Sequence, residues 1–360
     1  MSRIRQEIRF AKTHAGSRVA YALSGSAGQG VDWLVRAPHW LTHLEREVTT
    51  PVWGPWLEVL GSRHHLLRFD ALGTGLSDAT AEPPTLDALV EQLATVIDAQ
   101  RLTRFALIGM SQGGAVAIRY AARYPEKVSR LVLLGAFARG MLVRDPRPNT
   151  KRLVDAMAEL VEAGWGQTNA AYRQLFTSQF FPEATPEQAQ AFNELERASA
   201  SGSRAAQLVR AFAGIDASGD LAQVRCPTLV MHQRADARIP FEEGRFIAAG
   251  ILGARFEPLE GTNHLPLLGE PAFEQAKALL MNFLRTSSVC QTSLTDLSRG
   301  ESQLLDLLAR GLDNAQIAAR LGRAEKTVRN RVSALFERLG VENRAQAIVL
   351  GRDAGYGIDA

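Results

Sequence analysis

Three residues of this 360-residue chain are of the right types, in the right order, for acyl-transfer chemistry: Ser111, Asp236 and His264. Ser111 is the centre of Gly109-Met-Ser-Gln-Gly113, a G-x-S-x-G set between an apolar strand, Arg104–Gly109, and an amphipathic helix, Gln112–Tyr124, that Pro125 stops. A serine in that context sits on a tight, strained turn, which demands small neighbours. Its Oγ then projects at a helix N-terminus, where free N–H groups favour developing negative charge. The backbone N–H of Gln112 is the expected oxyanion donor. The motif calls for an acid and then a histidine, in that order. Asp236 follows the strand Pro227–His232, and His264 lies in the loop between Phe256–Gly261 and the last helix of this region. His264 would take the serine proton, and Asp236 would orient the imidazole and stabilise its charge. Singly, the three read as a chance motif, a turn residue and a cap residue; together, each on the expected element, they read as a triad. His64 and His65 open a strand and read as structural.

The elements that position them alternate. Gln6–Lys12 and Arg18–Ser24 read as strands joined at His14-Ala-Gly16, Trp33–Ala37 and His64–Asp70 as buried strands, and Val128–Leu134 as another. Thr85–Gln100 has helical periodicity, with Leu86, Leu89, Val90, Leu93, Val96 and Ile97 on one face. Strands alternating with helices predict an α/β fold, a mostly parallel sheet with helices on both faces. Residues 138–220 break the pattern: they read as all helix and contain Trp165, Tyr172, Phe176, Phe180, Phe181, Phe192 and Phe212. Strands return at Cys226–His232 and Ala254–Leu259, and the helix Pro271–Arg285 closes the unit. The expected division is a core of 1–137 and 221–285, an all-helical cap of 138–220, a polar linker of 286–293, and an all-α domain of 294–360.

Composition supports a globular protein: 46% hydrophobic and 22% charged residues exclude a disordered or low-complexity chain. No apolar run approaches the eighteen or so residues that span a bilayer, and the N-terminus has no apolar segment of a secretory signal. Two cysteines make no disulfide framework, and no Cys/His cluster has zinc spacing. The expectation is a cytoplasmic protein with no cofactor, no metal and no membrane partner.

On these motifs, residues 1–285 resemble the α/β-hydrolase fold family. Arg68-Phe-Asp70-Ala-Leu-Gly73-Thr-Gly75-Leu-Ser-Asp78 is similar to that family's D-x-R-G-x-G-x-S turn, with Leu72 in place of the usual arginine. The helical insertion resembles its cap. Where the family has His-Gly after the third strand, this chain has Ala37-Pro38-His39-Trp40; the resemblance implies a second oxyanion donor there, the N–H of Trp40 or of His39. Trp40-Leu-Thr-His-Leu-Glu and Ser111-Gln-Gly-Gly-Ala are similar to hydrolase-like domains fused to bacterial regulatory modules. A ligand pocket under the cap is expected from His39, Met110, Trp165, Phe176 and Phe180, for a small apolar or acyl compound.

The C-terminal region carries a second signal. Ser298-Arg-Gly-Glu301 is a capping box opening a helix; Asp313 caps Asn314–Leu321; Gly322-Arg-Ala324 turns into Glu325–Leu339, a helix-turn-helix pattern. On the last helix Val328, Val332, Leu335 and Leu339 form one stripe, while Lys326, Arg329, Asn330 and Ser333 face away. Over 320–338 six basic residues stand against two acids, a local +4 in a chain of net +3, the concentration that phosphate contact needs. The run Leu297-Ser-Arg-Gly-Glu301 … Gln316-Ile-Ala-Ala-Arg-Leu321 … Glu325-Lys-Thr-Val-Arg-Asn-Arg-Val … Leu339-Gly-Val resembles the LuxR-type (GerE) DNA-binding domain, over about 294–356. The resemblance implies a four-helix domain whose third helix reads double-stranded DNA through Lys326, Thr327, Arg329, Asn330 and Arg331. It also implies a fourth helix, about Arg344–Gly355, that pairs two chains on a near-palindromic operator. Ala324 stands where the family has a Ser/Thr cap, a loss of about 1 kcal/mol, and Arg331 where it often has His. The combined expectation is a transcriptional regulator with a hydrolase-like sensor, for which RNA polymerase is a further partner. The alternative is a serine esterase or lactonase whose DNA-binding domain is secondary.

Overall fold

A computed structural model describes residues 4–26, 32–285, 297–339, 341 and 344–357. The expected linker, 286–293, lies outside the described residues. The chain divides into two compact units, Met1–Phe283 and Leu284–Ala360.

The first unit is built on eight strands: β1 (Gln6–Lys12), β2 (Arg18–Gly25), β3 (Trp33–Arg36), β4 (His65–Phe69), β5 (Phe105–Met110), β6 (Val128–Leu134), β7 (Thr228–Gln233) and β8 (Arg255–Leu259). They lie in the order β1-β2-β4-β3-β5-β6-β7-β8. β2 pairs antiparallel with β1 and β4, and every other pairing is parallel. Burial follows from that arrangement. Every residue of β5 is buried, as a central parallel strand covered on both faces requires, whereas the antiparallel edge strand β1 leaves most of its residues exposed or half-buried.

Helices fill the crossovers. α1 (Leu44–Glu47) and α2 (Gly54–Gly61) lie between β3 and β4, and α3 (Leu86–Ala99) and α4 (Gly113–Arg123) flank β5. α3 begins at Thr85, whose side chain accepts from Ala88 N–H, and it buries the six apolar residues read from its periodicity. Five α-helices and a 3-10 turn, Ser218–Gln223, separate β6 from β7: α5 (Met141–Arg144), α6 (Pro148–Gly164), α7 (Ala171–Phe180), α8 (Pro186–Ser199) and α9 (Gly202–Ala213). They are amphipathic and pack on one another through Val154, Val161, Phe176, Phe192 and Leu208. α10 (Phe241–Gly250) follows β7, and α11 (Pro271–Arg285) closes the unit. α1, α2 and α10 were not anticipated. α1 is a single turn, α2 opens Gly-Pro and buries residues all round, and α10 has glycine inside it, so none shows a clean apolar stripe.

The described residues of the second unit form four helices, α12 (Arg299–Ala309), α13 (Asn314–Leu321), α14 (Glu325–Leu339) and α15 (Arg344–Asp353). Ser298 with Glu301 and Asp313 with Gln316 form capping boxes, and Gly322 ends α13 in the left-handed region at φ +61°. Leu304, Leu305, Leu308, Ile317, Val328 and Leu335 meet in its core.

Candidate active site and DNA-reading helix

Ser111 follows the last residue of β5 with φ +53°, a left-handed conformation that a non-glycine residue adopts only when its surroundings impose it. Its N–H is held by Leu134 O at 3.0 Å, and its own carbonyl accepts from Gly114 N–H at 3.0 Å. The flanking glycines have a steric reason. A Cβ at Gly109 would fall 2.7 Å from Gly113 O, and one at Gly113 would fall 2.7 Å from Pro38 O. So α4 can begin directly beneath the serine only without side chains there. Neither the Gln112 nor the Trp40 amide has a hydrogen-bond partner among the described residues.

The loop after β7 carries Asp236, and the loop after β8 carries His264. His264 Nδ1 stands 2.8 Å from Asp236 Oδ2. Oδ1 of Asp236 accepts the amides of Arg238 at 2.8 Å and Ile239 at 2.9 Å. A residue that the sequence did not single out completes the set. His232, the fifth residue of β7 and wholly buried, places Nε2 3.0 Å from Ile239 O and 3.3 Å from Asp236 Oδ2. Both neighbours are acceptors, so Nε2 carries the hydrogen. Burial alone would raise the Asp236 carboxyl; the two histidines outweigh it and hold the group down to about 2. The spacing His232/Asp236 is the only signal in the sequence, and it is a weak one. Nε2 of His264 is buried without a hydrogen-bond partner among the described residues, so it does not bond Ser111 in this geometry. Such bonds often tighten only with substrate present.

A cavity opens on Ser111 and Gln112. It takes in about 590 Å³ of atom-free space, part of it continuous with solvent. Trp40 and Phe180 line it, with Phe137, Val209 and Phe212 supplying further apolar wall and Arg144 and Arg238 the charge.

Four expected pocket residues lie elsewhere. Met110 is fully buried and is not among the residues that line the cavity. Trp165 donates Nε1–H to Glu196 O at 3.1 Å, and Phe176 stacks on Trp40 with ring centroids 6.1 Å apart. These two brace Trp40 from behind, because an aromatic stripe on a helix serves packing before it serves a ligand.

His39 turns away from the cavity, stacked on Trp53 at 4.1 Å and standing 3.2 Å from Glu47 Oε1. There it joins a buried ionic cluster. Glu47 accepts from Arg36 Nη2 at 2.7 Å and from Arg68 Nη1 at 2.6 Å. Burial and the Arg36 charge push His39 down to about 4. Beside the cluster Asp70 accepts the amides of Leu44 and Leu76, and burial raises its carboxyl to about 6.

In the second unit α14 divides as its periodicity requires. Val328, Val332, Leu335 and Leu339 are buried, whereas Lys326, Thr327, Arg329, Asn330, Arg331 and Ser333 are exposed. Arg329 pairs with Glu325 at 3.2 Å, and Arg338 bonds Glu301 on α12 at 2.7 Å. The amides of Thr327 and Val328 both donate to Ala324 O, and residue 324 has no side-chain oxygen to offer them. Arg344, the first residue of α15, bonds Asn314 Oδ1 at 3.0 Å and Leu312 O, which ties α15 to the start of α13.

Comparison with known proteins agrees with both units. The alpha/beta hydrolase family matches residues 25–278, and the bacterial regulatory proteins of the luxR family match residues 295–350. The chain is 32% identical over 199 residues to the AB hydrolase superfamily protein YisY of Bacillus subtilis, covering 54% of this chain and 72% of that protein. It is 47% identical over 79 residues to the DNA-binding transcriptional activator DevR/DosR of Mycobacterium tuberculosis, covering 22% of this chain and 36% of that one. Among solved structures, the esterase EaEST from Exiguobacterium antarcticum superposes with a TM-score of 0.64 at 27% identity, covering 76% of this chain and 98% of that chain. Among the described residues no helix is long and apolar enough to cross a membrane. The chain belongs to the alpha/beta hydrolase family and carries at its C-terminal end a DNA-binding domain of the luxR family of bacterial regulatory proteins.

Proposed function

We propose that this regulator senses a small molecule in the cavity beside Ser111, and that occupancy shifts its affinity for a near-palindromic operator. The observation that carries the reading is a formed cavity opening on Ser111 and Gln112 in a chain that also carries a DNA reader. A ligand can shift DNA binding only by binding two states of the protein unequally. The cap helices that wall the cavity are the elements whose position a ligand would change. Base contacts are assigned to Lys326, Arg329 and Asn330, and phosphate contacts to Thr327 and Arg331. α15 is the proposed pairing surface of a homodimer, RNA polymerase the proposed partner once DNA is bound, and the cytoplasm the compartment in which all of these meet.

A second reading is supported by the Asp236–His264 pair at 2.8 Å: the site also hydrolyses its ligand, an ester, a lactone or a similar acyl compound. His264 Nε2 takes the proton of Ser111 as Oγ bonds to the carbonyl carbon, and the carbonyl oxygen becomes an oxyanion facing the Gln112 and Trp40 amides. The oxyanion collapses, the leaving oxygen takes the proton from His264, and water repeats the sequence to free the acid.

Intact-mass labelling with a fluorophosphonate decides between these readings. A single adduct that is lost in Ser111→Ala indicates an activated nucleophile. Selection of bound sequences from random DNA with the full chain then supplies an operator. If Ser111→Ala keeps ligand-dependent operator binding, the site is a receptor first; if no cavity ligand alters operator binding, the sensing proposal fails.

A further inference from the structure

Two arginines stand in the wall of the cavity beside Ser111: Arg144 from α5 of the cap, and Arg238 from the loop that carries Asp236. Each uses one N–H on a neutral acceptor. Arg144 Nη1 donates to Arg139 O at 2.6 Å, and Arg238 Nη1 donates to Gln179 Oε1 at 2.9 Å. Neither makes an ion pair among the described residues. The carboxylates whose charge they feel are already engaged: Glu243 binds Arg139 at 2.5 Å, and Asp236 binds His264. Burial and the nearby Arg144 charge bring the Arg238 guanidinium down to about 10. Two like charges, partly desolvated in one wall with donors unspent, are costly unless an anion joins them.

We propose that the ligand of this cavity is a small carboxylate, its acid group held between Arg144 and Arg238 and its apolar body lying along Phe137, Val209 and Phe212. The planar guanidinium fork suits a carboxylate, which can accept two parallel hydrogen bonds from it, and the remaining wall favours an aryl or alkyl body over a free inorganic ion. Holding the acid group would also link cap to core, because Arg144 belongs to α5 while the Arg238 amide donates to Asp236 Oδ1 at 2.8 Å. Ligand charge is thereby connected to the loop of the candidate triad. This assignment rests on the small-molecule reading above and specifies its chemistry.

The test uses matched probes on the full chain: 3-phenylpropanoate, 3-phenylpropanamide and inorganic phosphate, each titrated against the rate of Ser111 labelling by a fluorophosphonate and against tryptophan emission. The acid is expected to protect Ser111 at concentrations at least ten-fold below the amide. That preference should disappear in Arg144→Gln/Arg238→Gln and be retained in weakened form in Arg144→Lys and Arg238→Lys, which keep the charge but lose the fork. Equal protection by acid and amide, or better protection by phosphate, overturns the carboxylate assignment while leaving a small-molecule site in place. If neither organic probe protects the serine or moves the emission, the carboxylate assignment falls, and the small-molecule reading is decided separately by whether any cavity ligand alters operator binding. The acid-against-amide comparison needs no variant, so a misfolded mutant does not remove the test.

Discussion

His232 Nε2 lies 3.3 Å from Asp236 Oδ2, the same oxygen that faces His264 Nδ1 at 2.8 Å. One carboxylate oxygen thus serves two imidazoles, and only one of them is placed to move a proton. The Ile239 carbonyl fixes the tautomer of His232, which makes it a positioning residue. Its removal is expected to slow fluorophosphonate labelling of Ser111 about ten-fold, the worth of a charge-assisted contact near 1.4 kcal/mol. His232→Gln, which keeps a donor, should retain more of the rate than His232→Phe. A purely structural role would instead show as a lowered Tm with the labelling rate per folded molecule unchanged.

The backbone of Ser111 gives a stability prediction. At φ +53° serine and alanine are strained alike, whereas glycine is not. Glycine also gains freedom in the unfolded chain, which offsets part of the relief. We therefore expect Ser111→Gly to be more stable than Ser111→Ala by roughly 0.5–1 kcal/mol, read from paired denaturant melts. Equal midpoints would mean that the turn relaxes without a side chain.

His39 predicts a pH dependence. Its folded value of about 4 lies below the ordinary 6.5. As pH falls from 6.5 to 4 the unfolded chain binds a proton that the folded chain refuses, so stability declines on the acid side. Asp70, raised to about 6, works in the opposite sense between roughly 4 and 6, because there the folded chain holds the extra proton. The comparison of wild type with His39→Gln cancels the Asp70 contribution. Wild type should lose up to about 3 kcal/mol relative to the variant across that window, at 1.36 kcal/mol per pKa unit. Parallel curves would show that His39 titrates normally.

In the second unit, Ala324→Ser should supply the missing oxygen to the Thr327 amide and stabilise the domain by about 1 kcal/mol without weakening DNA binding. Arg331→Ala should leave stability unchanged and reduce the slope of log affinity against log salt by about one. A salt slope equal to wild type would remove Arg331 from the phosphate contacts.

How far the sequence spoke depended on whether an element answers to a local rule. G-x-S-x-G sits where it does because Gly109 and Gly113 leave no room for a Cβ, and α14 splits by a 3.6-residue period; both rules operate over a few neighbouring residues. The cavity wall obeys no such rule. Arg144 and Arg238 are ninety-four positions apart and meet only through the tertiary fold, while Trp165 and Phe176 share a helical spacing that says buried without saying against what. His39 and Trp40 are neighbours in the sequence, yet the Trp40 ring lines the cavity while His39 joins the Glu47 cluster.

Trp40 has an optical consequence. Its indole lines the cavity, stacks on Phe176 and meets Trp165 edge to face at 6.2 Å. Any occupant changes the polarity that this ring feels, while Trp165 stays sealed at 1% exposure. Both indoles are buried, but only Trp40 borders the cavity, and the two are close enough to exchange excitation. The protein carries its own spectroscopic gauge of whether the cavity is filled, and no dye needs to be attached to read it.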